Sequence, residues 1–274
     1  LFLDFHEVFT SRELIKNKIL SPRATMIFKK KEKPHYHLGN IKNYDFYCPF
    51  SPREHVSRHL NTSEFAKHHP VPAPEICFGF AEEEKRQAAP FWQAGGKIKV
   101  FVAPQGSVPF KAVEPRDLAA LLNKLAPELR PRVQFLLCRT KTAEAFFAAL
   151  TGLLDADIDI RLSAPTTLQQ YIAVTASADL VISVDSGTAH LACAAKRPLL
   201  SFYVEHNINT WSPLHRADVP HFMMIAKTGY DQADDEYKSW LFREDFPVQD
   251  GADWLNTQLR GLLPDSATNP TPAP

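Results

Sequence analysis

The sequence predicts an α/β fold on a doubly wound parallel sheet, and three observations carry that reading. Short apolar runs recur at 98–103, 133–138, 180–184 and 199–203, with the unbroken hydrophobicity of strands buried on both faces. Helical patterns alternate with them at 115–125, 142–153 and 167–176, as the crossover connections of parallel neighbours require. Two of the strands also run straight into Gly/Ser turns ahead of helices, at Gly106-Ser107 and at Ser186-Gly187.

In chain order, an apolar strand is expected at 1–5, a helix at 11–20 and a short apolar run at 24–28. Domains seldom open inside a central strand, so the first domain is expected to lack its opening elements here. The run Lys29-Lys30-Lys31-Glu32-Lys33 reads either as a solvated face or as a contact for lipid phosphate. A helix of mixed polarity is expected at 81–92, ended by Gly95-Gly96. Pro115 suits the first turn of its helix, where a missing N–H costs nothing, and Leu118, Leu121, Leu122 and Leu125 share one face. An amphipathic helix at 249–263 precedes a Pro/Ser/Thr/Asn tail, 264–274, whose composition cannot pack and is expected to be disordered. The domains expected are therefore 1–92 and 93–248, followed by that helix and tail.

Lys plus Arg and Asp plus Glu both number 31, so no global field recruits nucleic acid, and none is expected as a partner. Four cysteines form no CxxC pair, and Cys138 and Cys193 lie in apolar runs that suit buried free thiols and a reducing compartment. No apolar run approaches the roughly 18–20 residues needed to span a bilayer. His35, His37, His55, His59, His68 and His69 fit no metal-ligand spacing and read as surface residues, and no cofactor is implied.

The strongest chemical signal is Leu180-Val181-Ile182-Ser183-Val184-Asp185-Ser186-Gly187-Thr188-Ala189-His190-Leu191-Ala192. A buried strand ends in Asp185, small residues turn the chain, and a helix begins. Ligands of open α/β sheets bind beyond the carboxyl ends of strands, and a helix N-terminus favours an anion. Gly187 leaves room for a diphosphate to approach the backbone, Asp185 can accept from sugar hydroxyls, and His190 stands one turn on. The plainer alternative is that Asp185 or Ser186 only caps the helix. The second signal, Val102-Ala103-Pro104-Gln105-Gly106-Ser107-Val108-Pro109-Phe110-Lys111, sets a lysine beside another such turn. Lys111 can neutralise a leaving diphosphate, or it is solvated surface.

Taken together, the two signals resemble glycosyltransferase family 9, the ADP-heptose:lipopolysaccharide heptosyltransferases. That family reads D-[ST]-G-x-x-H-L-[AT], here Asp185 to Ala192, with Lys196-Arg197-Pro198 following and Thr210-Trp211-Ser212-Pro213 resembling an aromatic-Gly/Ser-Pro loop. The resemblance spans about 97–215 and implies a GT-B fold of two Rossmann-like domains, the first incomplete, with the last helix crossing back to it. It implies inverting, metal-independent transfer of a heptose from ADP-heptose to a lipopolysaccharide core or lipid-linked glycan, in the cytoplasm with peripheral contact at the inner membrane. Gly106, Ser107, Lys111, Asp185, Ser186, Gly187, Thr188 and His190 become the donor site, with Lys111 stabilising the leaving group. Thr142 stands near where the family has a ribose-binding glutamate, with Glu144 close by. Asp4, His6 and Arg12 become the acceptor contacts, although His6, Glu7 and Thr10 depart from the family's D-x-Q-G and basic pattern. The family's presumed catalytic aspartate corresponds to a position before Leu1, where the general base is expected. A UDP- or GDP-sugar donor, or an inactive nucleotide- or glycan-binding homologue, are the alternatives.

Overall fold

The computed structural model describes residues 1–4, 9–28, 34–35, 37, 39–42, 44–48, 55–70, 72, 75–79, 81–214, 216–229 and 236–263. His6, the basic run 29–33 and the tail 264–274 lie outside the described residues. The chain forms two compact units, one of residues 1–75 with 209–212 and one of residues 76–208 with 213–274.

The first unit holds a parallel sheet in the order β1-β2-β3, from β1 (Phe2–Asp4), β2 (Thr25–Ile27) and β3 (Phe46–Tyr47). α1 (Ser11–Leu20) crosses from β1 to β2 over the residues expected. Thr10 caps it by accepting from the Glu13 N–H, and Ser21 ends it at φ 40°. A 3-10 turn (Val56–Thr62) and α2 (Glu64–His68) follow. Met26, Phe28 and Cys48 form this unit's small core, with Leu3, Leu60 and Phe65 packed on it.

The second unit opens with α3 (Glu82–Ala88), which is shorter than the expected 81–92. Pro90 lies just past its end, and residues 89–91 tighten into a 3-10 turn. The helix also falls outside the expected first domain. It packs on α6 (Leu168–Ser177), where Trp92 Nε1–H donates to Ser177 Oγ at 2.8 Å.

The strands are β4 (Ile98–Ala103), β5 (Val133–Leu137), β6 (Ile160–Leu162), β7 (Leu180–Val184), β8 (Leu199–Val204) and β9 (His221–Ala226). They form one parallel sheet in the order β6-β5-β4-β7-β8-β9. Alternate residues of each strand face opposite sides, and both sides are covered. Val100 and Val102 meet α4 (Pro115–Leu122), α5 (Ala143–Thr151) and α10 (Val248–Leu262) in one core. Phe101 and Ala103 meet α3, α6 and α7 (Gly187–Ala194) in the other. The remaining helices among the described residues are α8 (Ile208–Trp211), whose residues 209–211 belong to the first unit, and α9 (Glu236–Leu241).

Two of the strands were not expected. β6 and β9 escape the hydrophobic pattern because they are the sheet's edge strands and are only partly buried. The last helix, whose crossing back to the first domain was an expectation, buries Ala252, Leu255 and Leu259 in the second unit's core, against α4 and β9. Gly251 permits that seat, because a Cβ there would collide with the Met224 side chain.

Candidate functional site

In the order β6-β5-β4-β7-β8-β9 the chain winds outward from β4 to β6, then returns to place β7 on β4's other side. That reversal leaves a crevice beyond the carboxyl ends of β4 and β7, the usual ligand position in such sheets. Both Gly/Ser turns arise there.

After β4 the chain closes a compact loop, in which Val113 N–H returns to Pro104 O at 2.9 Å and Lys111 N–H to Val108 O at 3.1 Å. Gly106 lets this loop fold on itself. A Cβ there would stand 2.9 Å from Lys111 Cβ and 3.3 Å from the Asp185 carbonyl oxygen. The loop thereby brings Lys111 Nζ to 2.8 Å from Asp185 Oδ2, with side-chain exposures of only 13% and 5%. Ser107 is exposed at the loop's outer edge.

Asp185 extends the β7–β8 ladder through its N–H to Phe202 O at 3.1 Å. It does not cap α7. Ser186 does, accepting from the Thr188 N–H at 3.3 Å, with Ser183 Oγ 3.1 Å from its own hydroxyl. Asp185 thus holds a cation, and the capping alternative applies to Ser186 alone. Behind it, burial and then the Asp185 charge push the Tyr203 hydroxyl far above its ordinary pKa. Gly187 is exposed, and a Cβ there would meet nothing within 4 Å. Thr188 is buried, and its hydroxyl is bonded to the Tyr171 hydroxyl. His190 is half-buried in the same helix.

Two further groups at this edge were not anticipated. Gln105 Nε2–H donates to Thr142 Oγ1 at 2.9 Å, and its Oε1 accepts from Thr140, tying the loop after β4 to the loop after β5. Arg139 follows β5, with Nε–H donating to Ser163 O at 2.7 Å and Nη1–H to Glu144 Oε1 at 2.6 Å. Glu144 is therefore held on the surface by Arg139, and Thr142 by Gln105. The available signal was a polar residue one or two places past each strand's carboxyl end.

In the first unit, Asp4 ends β1 and is buried, and its Oδ2 accepts from Tyr44 Oη–H at 3.2 Å. Burial, then the Asp4 charge, push the Tyr44 hydroxyl up to about 12. Arg12 is exposed in the first turn of α1. Among the described residues no cluster of three or more His, Cys, Asp or Glu could hold a metal ion. His55, which was expected to be an isolated surface residue, is half-buried. Its Nδ1 accepts from the Ser57 N–H at 3.2 Å, and its Nε2–H donates to Ser212 O at 2.8 Å. Cys48, Cys138 and Cys193 are free and buried, and Cys77 is free and exposed.

Comparison with solved structures gives the same architecture. A structure of the Escherichia coli ADP-heptose lipopolysaccharide heptosyltransferase II superposes with a TM-score of 0.67 at 15% identity, over 93% of this chain and 75% of that one. A glycosyltransferase family 9 structure from Veillonella parvula superposes with a TM-score of 0.70 at 13% identity, over 94% and 73%. No curated protein sequence matches the chain. The fold is that of a GT-B glycosyltransferase. The chain belongs to glycosyltransferase family 9 (heptosyltransferase), whose model matches residues 44–240, a longer span than the motifs alone mark out.

Proposed function

We propose that this enzyme transfers a heptose from ADP-heptose to a lipopolysaccharide core acceptor with inversion at the anomeric carbon. The observation that carries the reading is the Lys111–Asp185 ion pair, set at the sheet's reversal beside the open Gly187. An acceptor hydroxyl attacks the anomeric carbon as the bond to the diphosphate breaks, through an oxocarbenium-like transition state. Negative charge grows on the departing diphosphate. Lys111 and the backbone near Ser186, Gly187 and Thr188 offset it, which is worth most when such groups are held in place beforehand. Asp185 does the holding, so it acts on the leaving group through Lys111. Gly106 and Ser107 frame the phosphates, and His190 lies further along the same helix. Asp4 and Arg12, with His6, are proposed on the acceptor side. An acceptor of this kind is lipid-anchored, so the proposal includes a cytoplasmic enzyme in peripheral contact with the inner membrane.

Calorimetry with ADP, UDP and GDP, followed by transfer assays with the matching sugar donors and a lipopolysaccharide core acceptor, tests this. ADP binding and heptose transfer are expected. Transfer only from a UDP- or GDP-sugar would displace the nucleotide assignment. Nucleotide binding without transfer or donor hydrolysis would leave a binding homologue.

A further inference from the structure

A cavity of about 270 Å³ lies in the second unit at the amino ends of β4 and β8, at the opposite end of the strands from the donor turn. It is lined in part by Trp92, Lys99, Ala173, Ala176, Ser177 and Arg197. Lys99 is the second residue of β4, and Arg197 stands just ahead of β8.

The chain's local chemistry aims a cation here. α7 ends in a Schellman turn: Lys196 adopts φ 55°, its N–H bonds Cys193 O at 3.0 Å, and the Arg197 N–H bonds Ala192 O at 2.9 Å. The reversal delivers Arg197 to the cavity wall, where its Nε is sealed from solvent without a hydrogen-bond partner. Lys99 Nζ lies 6.0 Å from the centre of the Trp92 ring. Among the described residues neither cation has a carboxylate partner.

The other polar groups of this wall are satisfied. Trp92 Nε1–H is bonded to Ser177 Oγ, and Ser177 Oγ–H donates to Val174 O at 2.9 Å. The Asp179 carboxylate accepts the backbone N–H of Lys99 at 2.8 Å. What the cavity leaves unmatched is positive charge, beside an indole and two alanine methyl groups. Cationic donors that line a cavity without a carboxylate partner favour an anion, because hydrogen bonds to an ionised group are the stronger ones.

We propose that this cavity binds a small organic anion, a carboxylate or phosphate monoester with a flat apolar body. The charged group lies between Arg197 and Lys99, and the body lies against Trp92, Ala173 and Ala176. The volume falls just below the roughly 300–1,000 Å³ of drug-sized sites, so the ligand is compact. The site is separate from the donor turn, since α7 lies between them and its eight residues span roughly 12 Å.

The test is calorimetric titration of the whole chain with phenyl phosphate and with benzoate, with ADP present in excess, and with inorganic phosphate as control. One-to-one binding of at least one organic anion is expected, at least tenfold tighter than inorganic phosphate. Arg197→Gln and Lys99→Gln should each weaken it at least tenfold. Neither variant should lower the Tm of the unliganded protein, because each removes a charge that lacks a partner. Several results would overturn the proposal: no binding of either probe, displacement by ADP, or inorganic phosphate binding equally well. Unchanged affinity in both variants would do the same, and with a lowered Tm it would assign the two cations a structural role. Dependence on Arg197 is read whether or not ADP binds, so failure here is distinct from failure of the donor assignment.

Discussion

Lys111 Nζ and Asp185 Oδ2 lie 2.8 Å apart, joining the loop after β4 to the turn after β7 with little exposure of either side chain. The pair explains why a lysine in a surface-like loop is held still. Its ammonium is anchored by a buried carboxylate.

Lys111→Ala should lower turnover by about a hundredfold to a thousandfold, the usual effect of losing one preorganised partner to a developing charge. It should also destabilise the fold, because Asp185 then keeps a buried charge without its cation, and breaking such a pair costs about 3–5 kcal/mol. From sequence alone a turn lysine is expected to be dispensable for folding, and the ion pair reverses that expectation. Urea denaturation of Lys111→Ala, Asp185→Asn and the double variant checks it. A coupling of roughly 1–3 kcal/mol is expected, and strictly additive effects would show that the pair contributes nothing.

Capping and donor chemistry separate at adjacent residues. Ser186→Ala removes the cap of α7 and should cost about 1 kcal/mol, or roughly 2–4 °C in Tm for a unit of this size. Asp185→Asn keeps that cap and should lower kcat/KM for the donor by about tenfold to a hundredfold, the worth of a hydrogen bond to a charged group. Paired melts and steady-state kinetics decide it. A kinetic loss confined to Ser186→Ala would reverse the assignment.

The two site glycines should fail in different ways. At Gly187 an added Cβ meets nothing within 4 Å, so Gly187→Val should leave the melting temperature nearly unchanged while abolishing ADP binding. At Gly106 the Cβ would press Lys111 Cβ at 2.9 Å, so Gly106→Ala should shift the loop and lower both stability and turnover. Retained ADP affinity in Gly187→Val would remove this turn from the donor site.

Acid should destabilise the fold around His55, whose half-buried ring accepts from the Ser57 N–H at Nδ1 and cannot do so once protonated. Burial, then the charges of Arg58 and His59, hold the His55 pKa below its ordinary value, against the opposing pull of the Ser212 carbonyl. The unfolded chain therefore takes up its proton first. Stability from this group is complete above about pH 6.5 and is lost as pH falls below that toward the folded pKa. Melts at about pH 7.5 and 5.5 should show the loss in the wild type. His55→Gln, which can still donate to Ser212, should flatten that part of the dependence, and identical slopes would exclude His55 as its source.

Much of this molecule can be read along the chain. The four central strands, the Leu118–Leu122 face, the cap-bearing turn at Ser186 and the buried thiols Cys138 and Cys193 are local patterns. Each is set by whether neighbouring residues can share a buried face or a turn. β6 and β9 were not legible, since edge strands need to be apolar on fewer sides and their periodicity is diluted. The partners at the site were not legible either. That Asp185 binds Lys111 while Ser186 caps α7, that Gln105 reaches Thr142, and that the last helix seats on Gly251 all follow from strand order and crossover packing. Parallel neighbours are joined by long connections, so groups that meet across the sheet's reversal lie far apart in sequence, and spacing along the chain carries no record of the meeting.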